Sequence, residues 1–191
     1  MISSFSKKDI FTKSNCISFL RIFLAIPLWF LLERLGESKY RAMALAVCLL
    51  AYLTDITDGY LARKFGEVTE LGKIIDPFAD KVVVSAIVIK LFLLGLIPCY
   101  YFFLVIGRDI LIFVGGILLS KKIGRVLPSN YLGKITVIFI GLVIVLTLVQ
   151  ANVNGFAYIF FYYSSIVLIF ASLIAYFIRG MEFFKRNNES I

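Results

Sequence analysis

Six apolar stretches, each about as long as a membrane is thick, follow one another along the chain with short polar or turn-forming segments between them. They run from Ile17 to Leu32, from about Arg41 through Asp55 to Ala62, from about Ile74 to Leu94, from Tyr100 to Leu119, from about Ile135 to Val149, and from Phe156 to Ile178. The runs Val82 to Ile89 and Ile135 to Val149 are almost continuously apolar and do not alternate, so they fit spanning helices and not the strands of a closed barrel. Gly95 with Pro98, and Gln150 to Gly155, mark uncharged turns. Residues Met1 to Asn15 are polar and mildly basic and could form a short interfacial helix ahead of the first span. The pattern predicts an all-α, integral membrane bundle of six transmembrane helices in one domain over residues 1–191.

Composition strengthens this picture. Of the 191 residues, 61% are hydrophobic and 17% charged, against roughly a half and a quarter in ordinary soluble domains. The mean hydropathy is +0.95. A cleaved leader is a poor reading of the first stretch, which is long, carries Arg21 and ends at Glu33-Arg34, where no small-residue cleavage site stands. Cys16, Cys48 and Cys99 lie far apart beside apolar residues, which suits packing and excludes a CxxC redox or zinc motif.

Charge then orients the chain. The net charge is +8, but the basic residues lie at the ends of the apolar stretches and form no aromatic-interleaved stripe, so nucleic acid is not the expected partner. Anionic lipid headgroups and anionic substrates are. In the six-span reading Arg34, Lys39, Arg41 and Lys90 fall on one side of the membrane, and the other 16 of the 20 Lys and Arg fall on the opposite side with the adjoining helix ends. This asymmetry places both termini, and the connection between the second and third spans, in the cytoplasm at the inner (cytoplasmic) membrane.

The candidate chemistry is concentrated at that connection. The sequence reads Asp55-x-x-Asp58-Gly59-x-x-Ala62-Arg63, eight residues, then Gly72-x-x-x-Asp76-x-x-x-Asp80. Spacings of three and four project each Asp pair from one helix face, so two helix ends joined by a short loop can aim four carboxylates at one another. Their repulsion in a low-dielectric setting is relieved by a hard dication. The chain contains no histidine, and oxygen donors favour Mg2+ or Mn2+ over zinc. Gly59 and Gly72 leave room for close approach, and Arg63 supplies a fork for phosphate oxygens. Together they describe a site for a metal-bound diphosphate. The bland alternative, charges resting at the interface, accounts for any one of these residues but not for the whole set at fixed spacing beside apolar helix.

This spacing is the signature of the CDP-alcohol phosphatidyltransferases, which the chain resembles at every position of the motif and in its length and span number. The resemblance implies that Asp55, Asp58 and Asp76 hold divalent metal against the diphosphate of CDP-diacylglycerol. It further implies that Gly59, Ala62, Arg63 and Gly72 shape the nucleotide site, and that Asp80 is the general base and can share in binding a second metal. A homodimer is implied as well. Asn15-x-x-Ser18-x-x-Arg21 is similar to the Asn-x-x-Thr-x-x-Arg opening of several bacterial members and makes Asn15 a further nucleotide-site candidate. The competing reading is a helix cap at Asn15 and an Arg21 that snorkels to the interface.

The acceptor is read from charge elsewhere. Arg108 and Asp109 interrupt the fourth span, and Arg125, Lys134 and Lys81 are basic residues that could complete a pocket for a phosphorylated alcohol. A structural Arg108–Asp109 pair, with lipid-touching basic residues in the loop, is the alternative. Within the family, Arg-Asp followed by Gly133-Lys134 is similar to the members that use glycerol 3-phosphate. Phosphatidylglycerol, serine and inositol phosphate are the other acceptors that the same core motif serves. A transporter or channel, and a non-catalytic membrane scaffold, are the readings outside this class. Charges clustered on one side argue against an ion path.

Overall fold

The computed structural model describes the backbone of residues 13–65, 72–123 and 131–188, and the side chains of 19–54, 57, 79, 81–119 and 131–182. Six helices and no strand occur among them: α1 (Lys13–Leu32), α2 (Ser38–Phe65), α3 (Gly72–Leu93), α4 (Cys99–Ile123), α5 (Tyr131–Leu148) and α6 (Phe156–Asn188). Helices α4, α5 and α6 are each long and apolar enough to cross a membrane. The expected interfacial helix at the N-terminus lies outside the described residues. The chain divides into two compact units, residues 1–94 and 95–191.

The helices match the apolar stretches and overrun them at the polar ends. Backbone hydrogen bonding continues through Lys and Arg as readily as through Leu, so charge at a span's end does not stop the helix. This is clearest in α6, which continues ten residues past Ile178 to Asn188. Its 33 residues make about 50 Å of helix, against about 30 Å of hydrocarbon. The turns end helices by recognisable means. Gly95, at φ +69°, follows α3 in the left-handed conformation that glycine adopts without strain. Gln150 takes the same role after α5 at φ 55°, where its N–H donates to the Thr147 carbonyl (3.0 Å) and the Ala151 N–H to the Leu146 carbonyl (2.9 Å). These two bonds form a Schellman motif.

In the first unit α1 packs against both α2 and α3. It buries Arg21, Ala25, Leu28 and Leu32, a stripe at steps of four, three and four. Facing residues include Ala44 and Ala51 of α2, seven apart, whose small side chains allow close approach, and Ala79, Val83, Ile87 and Leu91 of α3. The Lys90 ammonium is buried, 3.1 Å from Glu33 Oε1 and 4.8 Å from the centre of the Trp29 ring. That contact, and a shared groove lined by Ile22 and Val82, set α1 and α3 parallel with about sixty residues of offset.

The second unit is organised around α6. Tyr101 hydrogen-bonds Ser165 (2.9 Å) and Arg108 reaches Ser172 (3.4 Å), so α4 and α6 run parallel in register at a seven-residue step. Further along α4, a Cβ on Gly116 would stand 2.9 Å from the Tyr176 hydroxyl, and glycine there admits the tyrosine. Helix α5 runs antiparallel to α6: Thr136 donates to the Leu168 carbonyl (3.1 Å), and Thr147 lies 3.4 Å from the Tyr158 hydroxyl. Large apolar side chains such as Phe103, Leu111, Val167, Phe170 and Phe177 are exposed along α4 and α6, as lipid-facing helix surfaces require.

Candidate active site

The acidic motif lies within helices and not in the loop between them. Asp55, Asp58, Gly59, Ala62 and Arg63 fall on the last turns of α2, and Gly72, Asp76 and Asp80 on the first turns of α3. The side chains of these residues and of Asn15 lie outside the described residues, as does Arg125 altogether. What the backbone establishes is the register: Asp55 and Asp58 stand at i and i+3, and Asp76 and Asp80 at i and i+4, on regular helix, so each pair shares a face. A threonine immediately precedes each member of the first pair. Thr54 and Thr57 donate to the carbonyls of Ala51 and Leu53, both at 2.7 Å, so their hydroxyl protons are engaged on their own helix. The acidic positions present oxygen donors only, the set preferred by a hard divalent cation.

Arg21 departs from the snorkelling alternative. It is 2% exposed, so its guanidinium is inside the first unit and does not reach out to an interface. The offset between α1 and α3 brings it level with Asp80 and with the half-buried Lys81.

The second unit holds a buried polar node at Arg108. Its Nη1 donates to Asp109 Oδ1 at 2.7 Å, Nη2 to the Gly133 carbonyl at 3.2 Å, and Nε to Ser172 Oγ at 3.4 Å. The three partners belong to α4, α5 and α6. Arg108 is 4% exposed and Ser172 1%, while Asp109 is also buried. Adjacent helix residues do not normally face each other, so the Arg108–Asp109 pair requires both side chains to converge. The Ser172 hydroxyl donates to the Ile169 carbonyl (2.9 Å), which leaves its lone pairs to accept from Arg108. Gly133 is the third residue of α5. The guanidinium therefore lies beside that helix's first turn, where the unsatisfied N–H groups and the helix dipole favour an anion. Lys134 occupies the same turn and is exposed. Of the residues expected from sequence to meet an acceptor phosphate, Arg108 and Lys134 are thus brought to one turn.

Ser172 and the Gly133 carbonyl were not legible as partners of Arg108. The one sequence signal is weak: Tyr158, Ser165 and Ser172 recur at sevens within an apolar helix.

The four acidic positions thus stand on two helix ends of an otherwise apolar, helical unit, and likeness to known proteins gives the class. A model of the CDP-alcohol phosphatidyltransferase family matches residues 11–177, and the chain belongs to that family of enzymes. The CDP-diacylglycerol–glycerol-3-phosphate 3-phosphatidyltransferase of Aquifex aeolicus is 34% identical over 175 residues, covering 88% of this chain and 95% of the relative. The protein of the same name from Bacillus subtilis is 33% identical over 182 residues, 92% of each chain. A cardiolipin synthase (CMP-forming)/mitochondrial hydrolase fusion protein of Schizosaccharomyces pombe is 36% identical over 106 residues, 56% of this chain and 17% of its own.

Proposed function

We propose that this enzyme transfers the phosphatidyl group of CDP-diacylglycerol to glycerol 3-phosphate and releases CMP. The observation that carries the choice of acceptor is the buried Arg108, held beside the first turn of α5 with Lys134 on that turn. A phosphate dianion is the ligand that such a setting compensates best. The two relatives that match nearly full length are named for the same acceptor, which supports the reading. Arg125 and Lys81 complete the proposed acceptor set.

In this reading Asp55, Asp58, Asp76 and Asp80 hold Mg2+ or Mn2+, and their all-oxygen donor set suits either ion. The bound cation would polarise the diphosphate and offset charge on the departing CMP. Gly59, Gly72 and Ala62 leave space for the nucleotide, Arg63 grips diphosphate oxygens, and Asn15 adds a contact from α1. Asp80 accepts the proton of the acceptor hydroxyl while that oxygen attacks the phosphorus carrying the diacylglycerol. One P–O bond forms, the P–O bond to CMP breaks, and the proton rests on Asp80. Alignment and charge neutralisation are the main demands of phosphoryl transfer, and neither needs a covalent enzyme intermediate.

The family match runs through both compact units, which supports one functional domain of six spans. Both termini and the active site are placed in the cytoplasm by the asymmetry of Lys and Arg, at the inner membrane, and the working enzyme is a homodimer by family resemblance. The testing experiment incubates purified protein in detergent with CDP-diacylglycerol, Mg2+ or Mn2+, and separate acceptors: glycerol 3-phosphate, phosphatidylglycerol, serine and inositol phosphate. CMP release with glycerol 3-phosphate alone is expected. Release with phosphatidylglycerol alone would transfer the reading to cardiolipin synthesis, and release with none would refute it.

A further inference from the structure

We infer that Asp109 and Ser172 are positioning residues for the acceptor phosphate, acting through Arg108. A guanidinium has five N–H donors. Among the described residues, the bonds to Asp109, Gly133 and Ser172 engage one on each nitrogen and leave one N–H on each terminal nitrogen of Arg108. Two donors on one rigid plane make a bidentate grip for a phosphate, provided that the plane does not swing. A free arginine on a long flexible stem has no such fixed plane. Here the plane is pinned from three helices by a buried carboxyl, a buried hydroxyl and a part-buried backbone carbonyl.

The three pins are not equal. Asp109 makes the shortest contact, 2.7 Å, and supplies charge as well as direction. Ser172 is at 3.4 Å, beyond the usual range of a strong hydrogen bond, and contributes direction only. The Gly133 carbonyl is backbone and is fixed by the start of α5. Asp109 therefore dominates, and Ser172 refines the angle.

The inference rests on the reading of Arg108 as the acceptor-phosphate residue, and it makes a claim that a purely structural knot does not. If Asp109 only offset the buried charge, its neutralisation would free the guanidinium and tighten the phosphate. If Asp109 aims the guanidinium, neutralisation loosens it. The test measures KM for glycerol 3-phosphate, KM for CDP-diacylglycerol, kcat and thermal stability for Asp109→Asn, Asp109→Glu, Ser172→Ala and Arg108→Lys. Asp109→Asn is expected to raise the acceptor KM about tenfold, with KM for CDP-diacylglycerol within about twofold of the parent. Asp109→Glu should recover part of that loss, and Ser172→Ala should raise the acceptor KM about threefold and serves if Asp109→Asn fails to fold.

An acceptor KM that is unchanged or lowered in Asp109→Asn, or in Ser172→Ala if only that variant folds, overturns the positioning role. So does a fall in stability with both KM values moving together. Arg108→Lys separates the two layers. If it leaves the acceptor KM unchanged, the acceptor reading fails and the positioning role falls with it. If it raises that KM while Asp109→Asn does not, only the positioning role fails.

Discussion

The Lys90–Glu33–Trp29 contact gives a stability prediction with an unequal outcome for its two members. Lys90 has 7% of its side chain exposed, whereas Glu33 has 60%. Replacing Lys90 with Met removes the one costly buried charge, keeps an unbranched apolar stem against Trp29, and returns Glu33 to the water it already touches. The expected change is within about 0.5 kcal/mol of the parent, since buried ion pairs are often replaceable by apolar groups of similar volume. Replacing Glu33 with Gln leaves the ammonium buried and deprives it of the carboxylate 3.1 Å away. Breaking a fully buried pair costs about 3–5 kcal/mol. The exposure of Glu33 screens the pair, and the retained face of Trp29 returns about 0.5–1 kcal/mol, so about 1–2 kcal/mol is expected. For a chain of this size that is a Tm lower by about 2–8 °C. Thermal unfolding of detergent-purified single and double variants checks it, and the double variant should resemble Lys90→Met alone. The site should be untouched, because Lys90 lies ten residues, about 15 Å of helix, beyond Asp80. If Lys90→Met destabilises as much as Glu33→Gln, the reasoning from unequal burial is refuted.

Three further outcomes concern the chemistry and the topology. Asp80→Asn should lower kcat by about a hundredfold or more while CDP-diacylglycerol still binds, and an assay of ligand binding beside CMP release separates the two; loss of binding in step with turnover would remove Asp80 from the general-base role. Chelation should abolish CMP release, with Mg2+ or Mn2+ restoring it, and Mn2+ titration followed by electron paramagnetic resonance should lose its tight component in Asp58→Asn; full activity in excess chelator would contradict the carboxylate reading. A reporter fused after Ile191 should read cytoplasmic, and an extracytoplasmic signal would invert the orientation.

Much of the first unit's candidate site was legible from sequence because it is local. The motif from Asp55 to Asp80 spans two consecutive helix ends, and on a helix the spacing of residues sets which of them share a face. The oxygen-only donor set follows from residue types, and the absence of histidine narrows it further. The apolar stretches likewise predicted six helices, with errors confined to their polar ends. The length of α6 was underestimated because charge marks where the membrane ends and not where helical hydrogen bonding does.

Arg21 and Arg108 show what local reading could not reach. Both interrupt apolar sequence, and both admit a snorkelling or structural reading from sequence alone. Whether a long side chain turns inward or outward depends on what the neighbouring helices leave open, and those neighbours are remote along the chain. Lys90 meets Glu33 across 57 residues, and Arg108 meets Ser172 across 64. Sequence by itself determined the family and the helical membrane class and nominated carboxylates for a divalent cation, since each reading depends on composition, periodicity or short spacing. The tertiary structure alone decided that Arg21 is buried, that α4 and α6 run parallel in register, and that Asp109, Gly133 and Ser172 pin the Arg108 guanidinium, because only packing brings distant helices to the same depth.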